Sequence, residues 1–461
     1  MPKVHFENLG NINNGTVELK DFTIFCGDNN TGKTYAIYAI YSLLDKNFKY
    51  KSKELDTIID KLYDDGLYEL DLKEFFDLNY KKMKNEIEKN FSNNLHSIFS
   101  ANESEFKKSK IKIDIDEDVI KENLINAYGQ NSLKIGKKDT AVFEIIKEKN
   151  SYLLKLILLD ENIPKNTAIN YLKEFLSFFI FYYFTSNSFL LPAERTGLNL
   201  FYKELNSKRT AMLHHFNNND INVNDLVKDL IVSKYPEPIA DYIDFLNNLE
   251  NLKKLNSEYK DLALEIQKEI IKGKYRVEKD GIYFVPYKKG CNKDNYNEKI
   301  SLHLASSTVK TFFSLIFFLE HLAQKGDTLI IDEPELNLHP NNQRKIARIL
   351  AMIANRGIRV IVSTHSDYFI REINSLIMLN EDFKSKDEIM QKYSYKENML
   401  LSLGDVNAYL FDKNSVELME IDSKEGVIAK TFDEVINSLN SSSDEIYYQK
   451  EADLEDEQSN N

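Results

Sequence analysis

The sequence predicts an α/β fold, a mixed and largely parallel sheet with flanking helices, interrupted by helical insertions. Three observations carry this. From residue 299 onward, short apolar runs alternate with helix-period patterns, the layout of parallel strands joined by crossover helices. Those apolar runs end in polar groups, where α/β sheets place their ligands. Near the other end, residues 27–34 read Gly-Asp-Asn-Asn-Thr-Gly-Lys-Thr, between an apolar strand pattern at 22–26 and an apolar helix pattern at 35–44.

Taken in order, the chain opens with three expected strands at 4–6, 16–19 and 22–26, with Gly10, Asn14 and Gly15 supplying turn chemistry between the first two. Residues 46–138 are mostly charged and are expected to form a helical insertion. A hairpin is expected from 141–147 and 152–159 around a polar turn, then an apolar helix over 166–183. Ala193-Glu194-Arg195-Thr196-Gly197 follows an apolar segment and either faces the site or makes a structural turn. A second helical insertion is expected over 199–272. Within it Leu249, Leu252, Leu255, Tyr259, Leu262, Ile266 and Ile270 recur every three or four residues, an amphipathic stripe that packs on its own domain or pairs with a partner helix. Residues 275–277 and 282–285 suggest another hairpin.

Strands are then expected at 299–304, 328–332 and 359–363, and helices at 309–323, 341–355 and 367–379. Residues 1–45 and 299–440 thus form one unit, which takes in the antiparallel strands near 140–160 and 275–285. Residues 443–461 form an acidic, disordered tail.

The chemistry lies at three places. Residues 27–34 match G-x-x-x-x-G-K-[ST], a phosphate-binding loop. Gly27 and Gly32 let the backbone turn. The loop N–H groups, with Asn29, Asn30 and Thr31 among them, cradle phosphate oxygens. Lys33 reaches the β- and γ-phosphates, and the Thr34 hydroxyl ligates Mg²⁺. A Gly/Asn surface turn would not explain Lys-Thr entering an apolar helix.

The second place is Thr-Leu-Ile-Ile-Asp332-Glu333, an apolar strand ending in two acids. Asp332 would hold Mg²⁺, directly or through water, and Glu333 would polarise the attacking water. The third is Arg-Val-Ile-Val-Ser363-Thr364-His365-Ser366. Its strand should neighbour the Asp332 strand, which makes His365 a γ-phosphate sensor.

Composition narrows the rest. The chain has 461 residues, enough for two or three lobes, with 42% hydrophobic residues for a large core. No run approaches the roughly 20 apolar residues of a membrane span, and the first residues show no secretory leader pattern. Two cysteines, Cys26 and Cys291, exclude a disulfide framework and fit a reducing cytoplasm. The net charge of −13 shows no basic nucleic-acid face in the total, and residues 444–461 supply seven acids against one lysine.

Asp332-Glu-Pro-Glu-Leu-Asn-Leu-His339-Pro, followed by Ser-Thr-His365-Ser, closely resembles the ABC-type ATPase heads of the OLD, RecF and chromosome-maintenance group. The resemblance covers about the first 45 residues and roughly 299–379. It implies ATP and Mg²⁺ as cofactors, and two heads that sandwich two ATP molecules between one head's phosphate loop and the other's signature segment. The usual Leu-Ser-Gly-Gly-Gln signature is replaced by Leu304-Ala-Ser306-Ser307-Thr308-Val-Lys310. Ser306 or Ser307 at a helix N-terminus could still meet a γ-phosphate across the interface. No Gln stands out as the metal-sensing Gln after the first helix.

About 300 residues separate Lys33 from Asp332, about twice what a transporter head needs. Sustained heptads for long coiled-coil arms are absent. About 95 residues follow His365, with Asp405, Asp412, Glu417 and Asp422 scattered among them, too little for the nuclease domain that OLD proteins carry there. The chain therefore resembles the nuclease-free ATPase subunits of bacterial phage-defence systems such as the Septu and PARIS types. That implies a homodimer or higher oligomer acting as a nucleotide-driven switch, with a separate nuclease or toxin as effector. A RecF-like DNA-binding ATPase and a self-contained OLD-type nuclease are the rivals, so nucleic acid stays open as a partner.

Overall fold

The structure is a computed structural model. It describes residues 2–45, 53–126, 133–137, 140–148, 150–181, 186–204, 235–287, 298–428, 438 and 440–450. Strands β1 (Lys3–Leu9), β2 (Ile12–Glu18) and β3 (Phe22–Gly27) open the chain, and the helix Lys33–Asp45 leaves the loop after β3. Then come β4 (Leu67–Asp71), β5 (Lys110–Asp114), β6 (Leu133–Lys137), β7 (Thr140–Lys147), β8 (Leu153–Leu158) and β9 (Ser188–Leu191). The remainder adds β10 (Gly273–Glu278), β11 (Gly281–Pro286), β12 (Ile300–Ser301), β13 (Thr328–Asp332), β14 (Arg359–Ser363), β15 (Val406–Asp412) and β16 (Ser415–Leu418).

Among the described residues the main sheet has the order β5-β1-β2-β16-β15-β3-β14-β13-β9. From β15 to β9 every neighbouring pair is parallel, while β16–β15, β2–β1 and β1–β5 are antiparallel. The parallel strands are mostly apolar because both faces are covered. Phe25, Ile330, Ile361 and Phe411 face a cluster shared with Ala36, Ile37 and Ile40 of the helix Lys33–Asp45. Ile24, Leu329, Ile331, Val360 and Val362 face the opposite cluster, built with the helices Ser307–Phe317, Pro340–Asn355 and Asp367–Met378. Alternate residues of one strand thus feed two cores, as a period of two requires.

The last two helices start where their sequences cap them. His339 accepts from the Asn341 N–H with Pro340 at the first helical position, and Ser366 Oγ accepts from the Phe369 N–H at 3.1 Å. Glu372, almost wholly buried, joins the two helices by accepting from Arg344 Nε and Arg348 Nε, each at 2.5 Å.

Several expectations are corrected. The segment 46–138 is not wholly helical: it contains β4, β5 and β6, and β5 joins the main sheet beside β1. Lys-Ile-Lys-Ile-Asp alternates in burial along β5, so its charges mark the exposed half of an edge strand. The hairpins near 140–160 and 275–285 are present, but in separate sheets ordered β4-β8-β7-β6 and β10-β11-β12.

The stripe from Leu249 to Ile270 is not one helix. Short helices at Leu249–Leu252 and Lys260–Ile266 are followed by a π-helical turn Gln267–Ile271, and Leu255 is exposed between them. Ser257 breaks the pattern: its Oγ donates to the Ala323 carbonyl and accepts from the Tyr259 N–H, a local alternative to helix. Of the segment 199–272, residues 205–234 lie outside the described residues, as does Cys291.

The strand expected over 299–304 extends only through Ile300–Ser301 before a 3-10 turn at Leu302–Leu304. In the tail, residues 440–450 are helical with every side chain exposed, and 451–461 lie outside the described residues. No described helix is long and apolar enough to cross a membrane.

Candidate active site

Because β3, β14 and β13 are adjacent and parallel, their carboxyl ends arrive together: Ser363 pairs with Phe25 on one side and with Asp332 on the other. The loop after β3 turns through Gly27 at φ +133° and Gly32 at φ +102°, backbone that L side chains rarely adopt. Space also requires glycine here. A Cβ on Gly27 would collide with the Phe411 carbonyl oxygen of β15, and one on Gly32 would lie 2.7 Å from the Ile12 side chain.

Asn30 also has positive φ, +62°, and its carbonyl accepts from Asn11 Nδ2. Asn29 and Asn30 are exposed at the loop's mouth. Thr31 Oγ1 donates to the Asp28 carbonyl at 2.8 Å. The ammonium of Lys33 lies within the loop, donating to the carbonyls of Gly27 at 3.0 Å and Asp28 at 2.7 Å. Burial lowers its pKa.

The Thr34 hydroxyl donates to Asp332 Oδ2 at 3.2 Å. The other carboxylate oxygen of Asp332 accepts from Ser363 Oγ. Glu333 stands at φ +52°, and its N–H donates to the Ser363 carbonyl at 3.2 Å and to Ser363 Oγ at 3.1 Å. Burial, then the charge of Asp332, raises the Glu333 pKa. His365 Nε2 lies 3.9 Å from Glu333 Oε1. Burial, then Lys33, lowers its pKa, which favours neutral imidazole.

The structure therefore brings together Gly27, Gly32, Lys33, Thr34, Asp332, Glu333 and His365. Among the described residues, no hydrogen bond joins Ser306 or Ser307 to them. Both are exposed at the start of the helix Ser307–Phe317, and Ser306 Oγ accepts from the Val309 N–H at 3.3 Å.

The family model described as the AAA ATPase domain matches residues 1–370. The chain belongs to this family. Its matched span contains the phosphate loop, Asp332, Glu333 and His365. This AAA ATPase domain protein is also 30% identical over 104 residues to the OLD nuclease of Thermus scotoductus (strain ATCC 700910 / SA-01), which agrees with the resemblance drawn from Asp332–Pro340. That stretch is 22% of this chain and 19% of the relative, so the chain spans about a fifth of the curated relative it matches.

Among solved structures, the SMC head domain from Thermotoga maritima gives a TM-score of 0.30 at 9% identity, covering 91% of this chain and 98% of that one. The Smc head with an extended coiled coil bound to the C-terminal domain of ScpA, derived from Pyrococcus furiosus, gives 0.31 at 11% identity, covering 95% and 100%.

The sequence alone assigns no role to Ser363 or Glu335 and leaves that of Arg195 open. Ser363 grips both Asp332 and Glu333, and its place at the end of β14 was the available signal. Glu335 is buried, and its Oε1 accepts from the Thr364 hydroxyl and the His365 N–H, each at 2.8 Å. It thereby locks the tip of β14 to the turn after β13. The second acid of Asp-Glu-Pro-Glu could have announced it. Arg195 reaches the same turn. Its Nη1 donates to the carbonyls of Pro192 at 2.9 Å and Asp332 at 2.8 Å, and its Nη2 to the Glu333 carbonyl at 2.8 Å. Of the two readings open for 193–197, Arg195 serves both: it is structural, and it touches the backbone of the site.

Proposed function

We propose that the protein binds and hydrolyses ATP with Mg²⁺ and works as a dimeric or higher-order nucleotide switch. In this reading it is the sensor or regulatory subunit of a bacterial anti-phage system, controlling a separate nuclease or toxin. The observation that carries the ATP reading is the 3.2 Å contact of Thr34 Oγ1 with Asp332 Oδ2 beside the phosphate loop. Those two groups fit Mg²⁺, because a hydroxyl and a carboxylate are the hard oxygen donors it prefers. The metal, when bound, neutralises charge on the β- and γ-phosphates.

The chain's own groups divide the rest of the work. The N–H groups from Gly27 to Thr34 and the Lys33 ammonium hold the phosphates. Glu333, with a raised pKa, orients the attacking water and takes its proton. Neutral His365 donates to a γ-phosphate oxygen. Ser306 and Ser307, exposed at the start of their helix, act on the ATP held by a second copy. AAA ATPase domain membership supports the ATPase reading, and the resemblance to nuclease-free ATPase subunits supports the defence role.

The test is Glu333→Gln, which should bind ATP without turnover and show a mass increase in light scattering on adding ATP. An unchanged mass in a protein that is not already an oligomer removes the closure model. The OLD nuclease relative favours one rival, a self-contained ATP-dependent nuclease. Metal-dependent cleavage of plasmid DNA by the lone chain would establish that rival, and no cleavage is expected.

A further inference from the structure

Arg195 is a fully buried guanidinium whose hydrogen bonds, among the described residues, all go to backbone carbonyls. Burying such a charge is expensive, and an apolar side chain of similar volume would usually fill the space at lower cost. The position therefore uses something that only a rigid fork of N–H donors supplies.

What the fork holds is specific. Nη1 and Nη2 take the carbonyls of Asp332 and Glu333, consecutive residues at the tip of β13. Glu333 lies in the left-handed region at φ +52°, which a glutamate adopts only where its surroundings impose it. They do so from both sides. Ser363 takes the Glu333 N–H, and Arg195 takes its carbonyl. With both ends fixed, the Cα–Cβ bond of Glu333 is held in one direction, and its Oε1 stands 3.9 Å from His365 Nε2.

Arg195 also opens a helical stretch, 195–204, that touches the helix Ser307–Phe317. Thr196 Oγ1 lies 3.2 Å from Thr311 Oγ1, and Asn199 Nδ2 donates to the Lys310 carbonyl at 3.0 Å. Asn199 Oδ1 accepts from Tyr242 OH at 2.8 Å and from Ser314 Oγ at 3.0 Å. Asn199, Thr311, Ser314 and Tyr242 are all buried, and a satisfied buried polar network holds one geometry.

We propose that Arg195 is a positioning residue for hydrolysis. It fixes the left-handed turn that aims Glu333, and through Thr196 and Asn199 it ties that turn to the helix headed by Ser306 and Ser307. Displacement of that helix by a second copy then reaches Glu333 along one short rigid path. The proposal rests on the ATPase reading above.

The test compares wild type, Arg195→Lys and Thr196→Val in the full-length protein, by three measurements: affinity for a fluorescent ATP analogue, phosphate release, and hydrogen exchange of the peptide spanning 328–340. Arg195→Lys should lower kcat at least tenfold, leave ATP affinity within threefold, and speed exchange in that peptide but not across the chain. Thr196→Val should do the same more weakly, with kcat down by threefold. A generally loosened fold would instead weaken ATP binding and raise exchange throughout, and would overturn the positioning role. So would wild-type turnover and exchange in a folded Arg195→Lys protein. Should Arg195→Lys not fold, unchanged exchange and turnover in Thr196→Val overturn the proposal. If wild type releases no phosphate, the hydrolysis reading fails, while the exchange comparison still decides what Arg195 does.

Discussion

The Thr34 hydroxyl donates to Asp332 Oδ2 across 3.2 Å, although 298 positions separate the two residues in the chain. The contact exists because β3 and β13 flank β14, which brings the loop after one strand beside the tip of the other. Asp332→Asn keeps the side chain's size and removes its charge. It should reduce Mg²⁺-dependent phosphate release by about a hundredfold or more, an effect of the size expected when a positioned charge is lost. ATP binding without Mg²⁺ should survive. A magnesium titration of turnover measures this, and an unaltered midpoint would remove Asp332 from the metal site.

Gly27 is demanding on two counts, positive φ and contact with the Phe411 carbonyl. Gly27→Ala should therefore cost about 1–3 kcal/mol in strain and weaken ATP binding at least tenfold. Gly281→Ala is the matched control, since nothing lies within 4 Å of a Cβ there. Calorimetric titration of both variants with ATP checks the contrast. Equal binding would mean that the loop tolerates a side chain.

Glu372 is almost wholly buried between Arg344 and Arg348. Glu372→Ala would leave two cations facing each other without the carboxylate between them, Arg348 keeping the Tyr393 and Ser394 carbonyls, and should destabilise the chain by about 3 kcal/mol. Arg344 is the more exposed of the two, so Arg344→Ala should cost less. Denaturant midpoints rank the two, and the opposite order would contradict the burial argument.

Cys26 lies just before the loop, and burial pushes its thiol pKa up from 9.0 to about 12, with Glu335 adding and Lys33 opposing. The folded pKa therefore exceeds the unfolded one. The stability it contributes is complete below pH 9 and declines as pH rises toward 12. In a Cys291→Ser background the native protein should resist thiol reagents at pH 8. The stability gap between it and the same protein carrying Cys26→Ala should change only on the alkaline side. Rapid labelling at pH 8 would show the thiol to be accessible.

The strongest parts of the fold were readable because they are locally encoded. Thr328–Asp332 and Arg359–Ser363 are unbroken apolar runs with polar ends, and the structure gives them those bounds. The loop 27–34 was readable because its glycines are needed by local backbone. β15 was not, since Val-Asn-Ala-Tyr-Leu-Phe-Asp carries a polar residue, Asn407, whose Nδ2 donates to the Glu18 carbonyl, a partner far away in sequence. Arg195 was only half legible for the same reason. The carbonyls it holds are main-chain atoms, which leave no trace in the identity of the residues that own them. The break in the 249–270 stripe was hidden because Ser257 answers to Ala323, outside any window that shows the periodicity.

The place of β15 has a consequence for how the protein is made. β3, which carries the phosphate loop, has β14 on one flank and β15 on the other, and β16 pairs with β2. β3 therefore leaves the ribosome with both edges unpaired, and β2 with one, and both wait until residues 359–418 arrive. At about 5–20 residues per second, that wait lasts on the order of twenty seconds to a minute. During it Phe22–Gly27 is an apolar segment with open backbone, the kind of segment that chaperones hold and that aggregates when they do not. A chain stopped before Val406 should contain every residue of the phosphate loop and still bind no ATP, because Phe411 supplies the wall against which Gly27 turns.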